Sequence, residues 1–267
     1  MTDNEIIKMI ERNPIIFKNI QSPSDAVKLA AIKKDGTIIR YIKNPTEEMK
    51  EIAIKSSIRA IEFIEEPTLN MKKSAVSHAW NTLQYFKNPC EDLVRIGIEQ
   101  KGWAIKYTNN PSIELQKLAI EKDYDSIKYI KNPEEQVQLL AIKINYEALR
   151  YIENPSLSAQ LLAIKENEAA IKFITELDLH KKIMFFKTNV LVIKYFRNDI
   201  PREIIEEALM EVLSKEDVDE KYVRDFIKCE SLSEKYGNIS MDKIIFIYNF
   251  GSKKCKKIAV DEKLKIM

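Results

Sequence analysis

The residues of this 267-residue chain that could do chemistry are two histidines, three cysteines, and a set of carboxylates and cations that recur at fixed spacing. His78 and His180 stand about 100 residues apart, with no H-E-x-x-H phrase that would hold zinc on a helix face and no triad phrase around either. Both read as surface or capping residues. Cys90, Cys229 and Cys255 are sparse, odd in number and without metal-ligand spacing, which reads as reduced thiols. Glu47, Glu48, Glu91, Asp92, Glu114 and Glu135 fall just after prolines, where carboxylates complement the positive end of a helix, so they read as capping groups rather than an acid–base cluster. The expectation is a chain that is not an enzyme, with no metal site and no cofactor. Five glycines in the whole chain also weigh against a phosphate-cradling loop.

What remains is recognition. Lys106, Lys128, Arg150, Lys172 and Lys194 follow one another at intervals of 22 residues. Stacked elements roughly 8–10 Å apart would line these charges into a row able to meet an acidic protein surface or a phosphate backbone. Lys131 and Arg197 could widen it. The bland alternative is a solvated lysine face, since the net charge is only +2. Trp103 stands next to this row at a position that is polar or small in most repeats. It reads either as a partner-binding hot spot or as a filler for volume lost at Gly97 and Thr108. Trp80 reads as part of a hairpin corner.

The elements that must carry these residues are set by the same period. Pro23, Pro45, Pro67, Pro89, Pro111, Pro133 and Pro155 are each 22 residues apart, in the phrase Y-I-K-N-P or a variant of it, and two further repeats begin at Leu177 and Asp199. With the proline as position 1, position 17 is Ile or Leu (Ile39, Ile61, Leu83, Ile105, Ile127, Leu149, Ile171, Ile193). Position 19 is aromatic (Tyr41, Phe63, Tyr85, Tyr107, Tyr129, Tyr151, Phe173, Tyr195), and position 9 is small from Ala31 to Ala163. The Asn-Pro pair predicts a helix start, with the asparagine as N-cap and the proline at N1. A helix over positions 1–12 and a second over 14–21 follow. At 100° per residue, positions 16, 17, 19 and 20 share one half of the second helix and position 18 faces away. A hairpin this short cannot bury its stripe alone, so successive hairpins must stack.

The phrases DAVKLAAIKKDGTIIRYIKNP, SIELQKLAIEKDYDSIKYIKNP and EEQVQLLAIKINYEALRYIENP resemble the short two-helix repeats of bacterial and phage proteins, near the variant leucine-rich and HEAT-like groups. The resemblance covers about residues 15–200. It implies a non-catalytic surface for a protein or nucleic-acid partner, and it carries no catalytic residues to transfer. The expected architecture is all-α, an α-solenoid of stacked 22-residue helical hairpins with N- and C-terminal caps. Residues 1–22 form an N-terminal capping helix, 23–200 eight repeats, and 201–267 a divergent helical cap or a separate interaction module.

No run of about 18 apolar residues occurs and the N-terminus lacks a signal peptide, so the reading is a cytoplasmic protein with no membrane span. A protein partner gripped through Trp103, Lys106, Lys128, Arg150, Lys172 and Lys194 is the leading expectation, as in an inhibitor or adaptor of a larger complex. The alternative is a nucleic-acid-binding solenoid in which lysines meet phosphates and Tyr107, Tyr129 and Tyr151 approach bases.

Overall fold

A computed structural model describes residues 1–196, 199–233 and 241–264. Every regular element among them is a helix, and short helices pack in succession in a solenoid-like, all-α fold. The chain divides into two compact units, Met1–Lys131 and Asn132–Met267.

The hairpin differs from its predicted form in a way that matters for the surface. The first helix of each repeat spans positions 3–12, as in Asp25–Lys34 and Glu47–Ser56, and starts two residues after the proline. Its N-cap is position 2. Ser24, Thr46, Thr68, Ser112 and Ser156 each accept a hydrogen bond from the backbone N–H three residues on. The asparagines serve the turn instead: Asn44, Asn88 and Asn132 adopt φ of 47°, 52° and 48°, a left-handed conformation that Asn tolerates better than most residues. The proline then follows as the residue before the cap.

The second segment is a six-residue 3-10 helix over positions 14–19, as in Gly36–Tyr41 and Gly102–Tyr107, rather than a longer helix over 14–21. Position 13 breaks the chain with φ between −145° and −155° in Asp35, Lys101, Asp123 and Asn145. Asp35, Asn145, Asn167 and Asn189 then cap the 3-10 segment by accepting from the N–H two residues later. So short a segment closes with i→i+3 bonds. Three residues per turn bring positions 17 and 20 onto one line, and both are buried in most repeats, for example Ile39 with Ile42 and Leu149 with Ile152.

In the first unit six such hairpins pack in sequence from Asp3–Arg12 with Pro14–Asn19 to Ile113–Lys122 with Tyr124–Tyr129. Residues 1–22 are therefore a hairpin in the same register, with Ile10 and Phe17 buried at positions 10 and 17. Position 9 alanines such as Ala31, Ala53 and Ala119 are fully buried where helices approach. Gly36 and Gly102 at position 14 mark the tightest contacts: an added Cβ would stand 2.0 Å from the Ala53 carbonyl oxygen and 2.3 Å from that of Ala119.

Polar links also join successive repeats. Ser24 Oγ donates to Asp3 at 2.5 Å, and Glu91 accepts from the Ser112 backbone N–H and hydroxyl at 2.7 and 2.8 Å. The first-turn carboxylates thus brace the cap of the next repeat. In the second unit Gln138 does the same from position 6, donating to Pro133 O at 2.8 Å and accepting from Ser156 N at 2.9 Å.

The second unit contains the hairpins Glu135–Ile144 with Tyr146–Tyr151 and Leu157–Glu166 with Glu168–Phe173, then Leu179–Thr188, whose partner segment turns α-helical at Ile193–Phe196. Beyond it the period is lost in the helices Arg202–Leu213, Glu220–Lys228, Lys243–Phe250 and Lys253–Leu264, of 12, 9, 8 and 12 residues. Tyr222, buried, donates its hydroxyl to Phe186 O at 3.1 Å and ties this segment to the last repeat.

Candidate partner-binding surface

Position 18 is exposed in every repeat but that of the half-buried Lys128, because positions 17 and 20 take the inward side of the 3-10 turn. Position 19 lies beside it, half-buried in most repeats, and a cation meets a ring there except where position 18 is Glu62 or Gln84. The cation lies against rings while remaining open to solvent. Arg40 lies 4.9 Å from the Tyr41 ring centroid and 5.3 Å from that of Phe63 in the next repeat. In the second unit Arg150 lies 5.6 Å from Tyr151 and 5.4 Å from Phe173, while Lys172 and Lys194 lie 5.8 and 5.1 Å from Tyr195. Cations and rings alternate along the 3-10 face of the second unit, whereas Glu62 and Gln84 interrupt the row in the first.

The densest part is in the first unit. Lys106 Nζ lies 4.9 Å from the Tyr107 ring, 5.3 Å from Trp80 and 5.9 Å from Tyr129. Trp80 packs on Tyr107 at 6.3 Å and Trp103 meets Tyr129 edge-on at 6.1 Å. Trp103 has Lys128 Nζ at 3.9 Å and Lys101 Nζ at 4.8 Å from its ring. Its indole N–H donates to Asp125 Oδ1 at 2.7 Å, and Lys128 donates to the other oxygen of the same carboxylate at 2.7 Å. Burial alone would push the Asp125 carboxyl up. The hydrogen bonds from Lys128 and Trp103, with the charges of Lys128 and Lys101, outweigh burial and hold it below the usual carboxylate range.

Gly102 makes this arrangement possible. Its bare Cα admits the following repeat, whose Asp123 accepts from Gly102 N at 2.7 Å and from Lys101 Nζ at 2.7 Å. Asp125, two residues on, then meets the indole. Trp103 does not fill the space at Gly97, which is closed by Leu83, Ala104 and Val76. Trp80 is more than a corner residue, since its ring is one wall around Lys106.

The expected charges thus divide into two kinds. Lys128 is paired with Asp125 and Lys194 with Glu168 at 2.7 Å. Burial opposes ionisation of Glu168, but the Lys194 hydrogen bond outweighs it and lowers its pKa, while that same bond raises Lys194. Lys106, Arg150 and Lys172 have no ion-pair partner among the described residues and are held by rings alone. Lys131 is exposed at the end of the first unit, and Arg197 lies outside the described residues.

Sequence reasoning missed Lys101, Asp123 and Asp125. The signal was present: Lys101 with Asp123, and Trp103 with Asp125, are each 22 residues apart, one repeat along the stack. His78 uses Nδ1 against Ser74 O at 2.8 Å on its own helix. No group of three or more His, Cys, Asp or Glu side chains suited to a metal occurs among the described residues. Compared with known protein families, curated proteins and solved structures, the chain finds no match in any of the three.

Proposed function

We propose that the chain is a non-catalytic binding scaffold that recognises a protein partner through the surface around Trp103 and Lys106. The observation that carries this reading is Lys106: an exposed ammonium without an acidic neighbour among the described residues, held between the rings of Trp80, Tyr107 and Tyr129. A lysine already restrained loses less rotamer freedom when a carboxylate docks on it, which lowers the cost of association. Tryptophan, tyrosine and a positive charge in one patch are the composition of an interface hot spot.

The resemblance to short bacterial and phage two-helix repeats supports the same reading, and an inhibitor or adaptor of a larger assembly is the role it suits. Base stacking is the less favoured use, because the cations already lie on or beside the tyrosine rings that a base would need. Lys106 and Arg150 remain available to carboxylates.

Affinity capture from the native cell with the parent chain and with Lys106→Glu tests the proposal. A protein recovered by the parent, released by moderate salt and lost with Lys106→Glu is the expected result. Recovery of nuclease-sensitive material, or a low-salt gel shift with RNA or DNA that Lys106→Glu abolishes, would replace this reading with nucleic-acid binding.

A further inference from the structure

The helices Lys243–Phe250 and Lys253–Leu264 pack on each other at the end of the second unit and expose what the rest of the chain buries. Ile245, Tyr248, Val260 and Leu264 are 57%, 74%, 58% and 65% exposed. Val260 and Leu264 are one turn apart, in line with Lys256, whose Nζ lies 5.7 Å from the Tyr248 ring and so joins the two helices into one face. Side chains this exposed stand out from the surface and do not line a cleft.

Charge marks the same face. Lys253, Lys254, Lys256 and Lys257 open the last helix, and its first turn holds no acidic residue. Cations at a helix N-terminus oppose the helix dipole, and the repeats of this chain mostly set Asp or Glu there. Lys254 is tied to Val218 O at 2.6 Å, while Lys253, Lys256, Lys257 and Lys263 have no ion-pair partner among the described residues. Lys254 and the Lys253 backbone N–H, which donates to Glu216 at 3.3 Å, serve the fold, but the ammonium groups of Lys253, Lys256, Lys257 and Lys263 make no hydrogen bond or ion pair among the described residues, so a ligand is the reason to look for.

We propose that this face docks on an anionic lipid surface. Protruding apolar side chains need a yielding partner into which they can sink, a tyrosine suits the headgroup boundary, and lysines with long stems reach outward to lipid phosphates and carboxylates. A second copy of the face would set lysines against lysines. A nucleic acid would leave Ile245, Val260 and Leu264 without an apolar partner. No helix among the described residues is long and apolar enough to cross a membrane, so the contact is peripheral.

Co-sedimentation of the full chain with vesicles of phosphatidylcholine alone, and of phosphatidylcholine mixed with phosphatidylserine, tests this at low salt. The parent should sediment with the mixed vesicles only. Lys256→Gln with Lys257→Gln should lower partitioning by about tenfold or more, since each lysine near an anionic surface contributes roughly a factor of five. Tyr248→Ser with Val260→Ser should lower it as well, with unchanged circular dichroism because both side chains are exposed. Lys106→Gln should bind like the parent, which separates this face from the surface around Trp103. The proposal is overturned if the parent stays in solution, sediments equally with neutral vesicles, or binds polyglutamate but not lipid. It is equally overturned if either C-terminal pair binds like the parent, or if Lys106→Gln abolishes sedimentation.

Discussion

Trp103 donates its indole N–H to Asp125 at 2.7 Å across one repeat interface, and Lys128 shares that carboxylate. The pair fixes the orientation of the most conspicuous ring on the 3-10 face. Because the chain has only two tryptophans, Trp80→Phe leaves Trp103 as the sole reporter. In that background Asp125→Ala should red-shift Trp103 emission and cost about 1.5–3 kcal/mol in urea unfolding, the range for a lost hydrogen bond to a charged group. Unchanged emission would mean that the bond does not orient the ring.

Acid should act through the same carboxylate. The folded state holds the Asp125 pKa down, so its contribution to stability is present above the ordinary carboxylate value and is lost as pH falls through the lowered folded one. A thermal unfolding series should show Asp125→Asn losing less stability than the parent between about pH 5 and pH 2. Parallel acid limbs would contradict the assignment.

The two glycines of the fifth hairpin should respond oppositely to expectation from the repeat pattern. Gly97→Ala restores the usual residue of position 9, and the atom nearest the new methyl is the end of the Leu83 side chain. Helix propensity gained and crowding should roughly cancel, for a change within about 1 kcal/mol. Gly102→Ala drives a methyl toward the fixed Ala119 carbonyl and should cost about 3 kcal/mol or more in denaturant unfolding.

Capping can be assigned by a paired substitution. Thr46→Ala removes the side chain that accepts from Met49 N and should cost about 1 kcal/mol. Asn44→Gly, at φ 47°, should be neutral within a few tenths of a kcal/mol, since Gly meets no steric penalty there. The reverse order in thermal unfolding would restore the asparagine as the cap.

Thiol reactivity should separate the three cysteines. Cys90 is exposed, whereas Cys229 and Cys255 are buried, and burial pushes the Cys255 thiol up to about 11. One equivalent of a thiol reagent should react rapidly at neutral pH, and mass mapping should find it on Cys90. The other two should react only on unfolding.

The sequence by itself determined the repeat, the helical class, the buried identities of positions 9 and 17, and the exposure of position 18 in every repeat but that of Lys128. Those follow from a period in which each repeat buries the same face against its neighbours, so a linear pattern carries the answer. Two local details were not legible. Ser and Thr at position 2 and Asn before proline are all competent caps, and only the backbone torsions of the closed turn decide which one acts. The short second segment could be α or 3-10 until the break at position 13 limited it to six residues. The surroundings of Lys106 were decided by tertiary structure. Lys106 and Lys128 are alike on a helical wheel, yet Trp80 and Tyr129 of the neighbouring repeats cage the first, while the second, which also lies on the Trp103 ring, is paired with Asp125 of its own 3-10 segment. The same holds for the C-terminal segment, where loss of the period left the exposed face of Tyr248 and Val260 unreadable until its two helices were packed together.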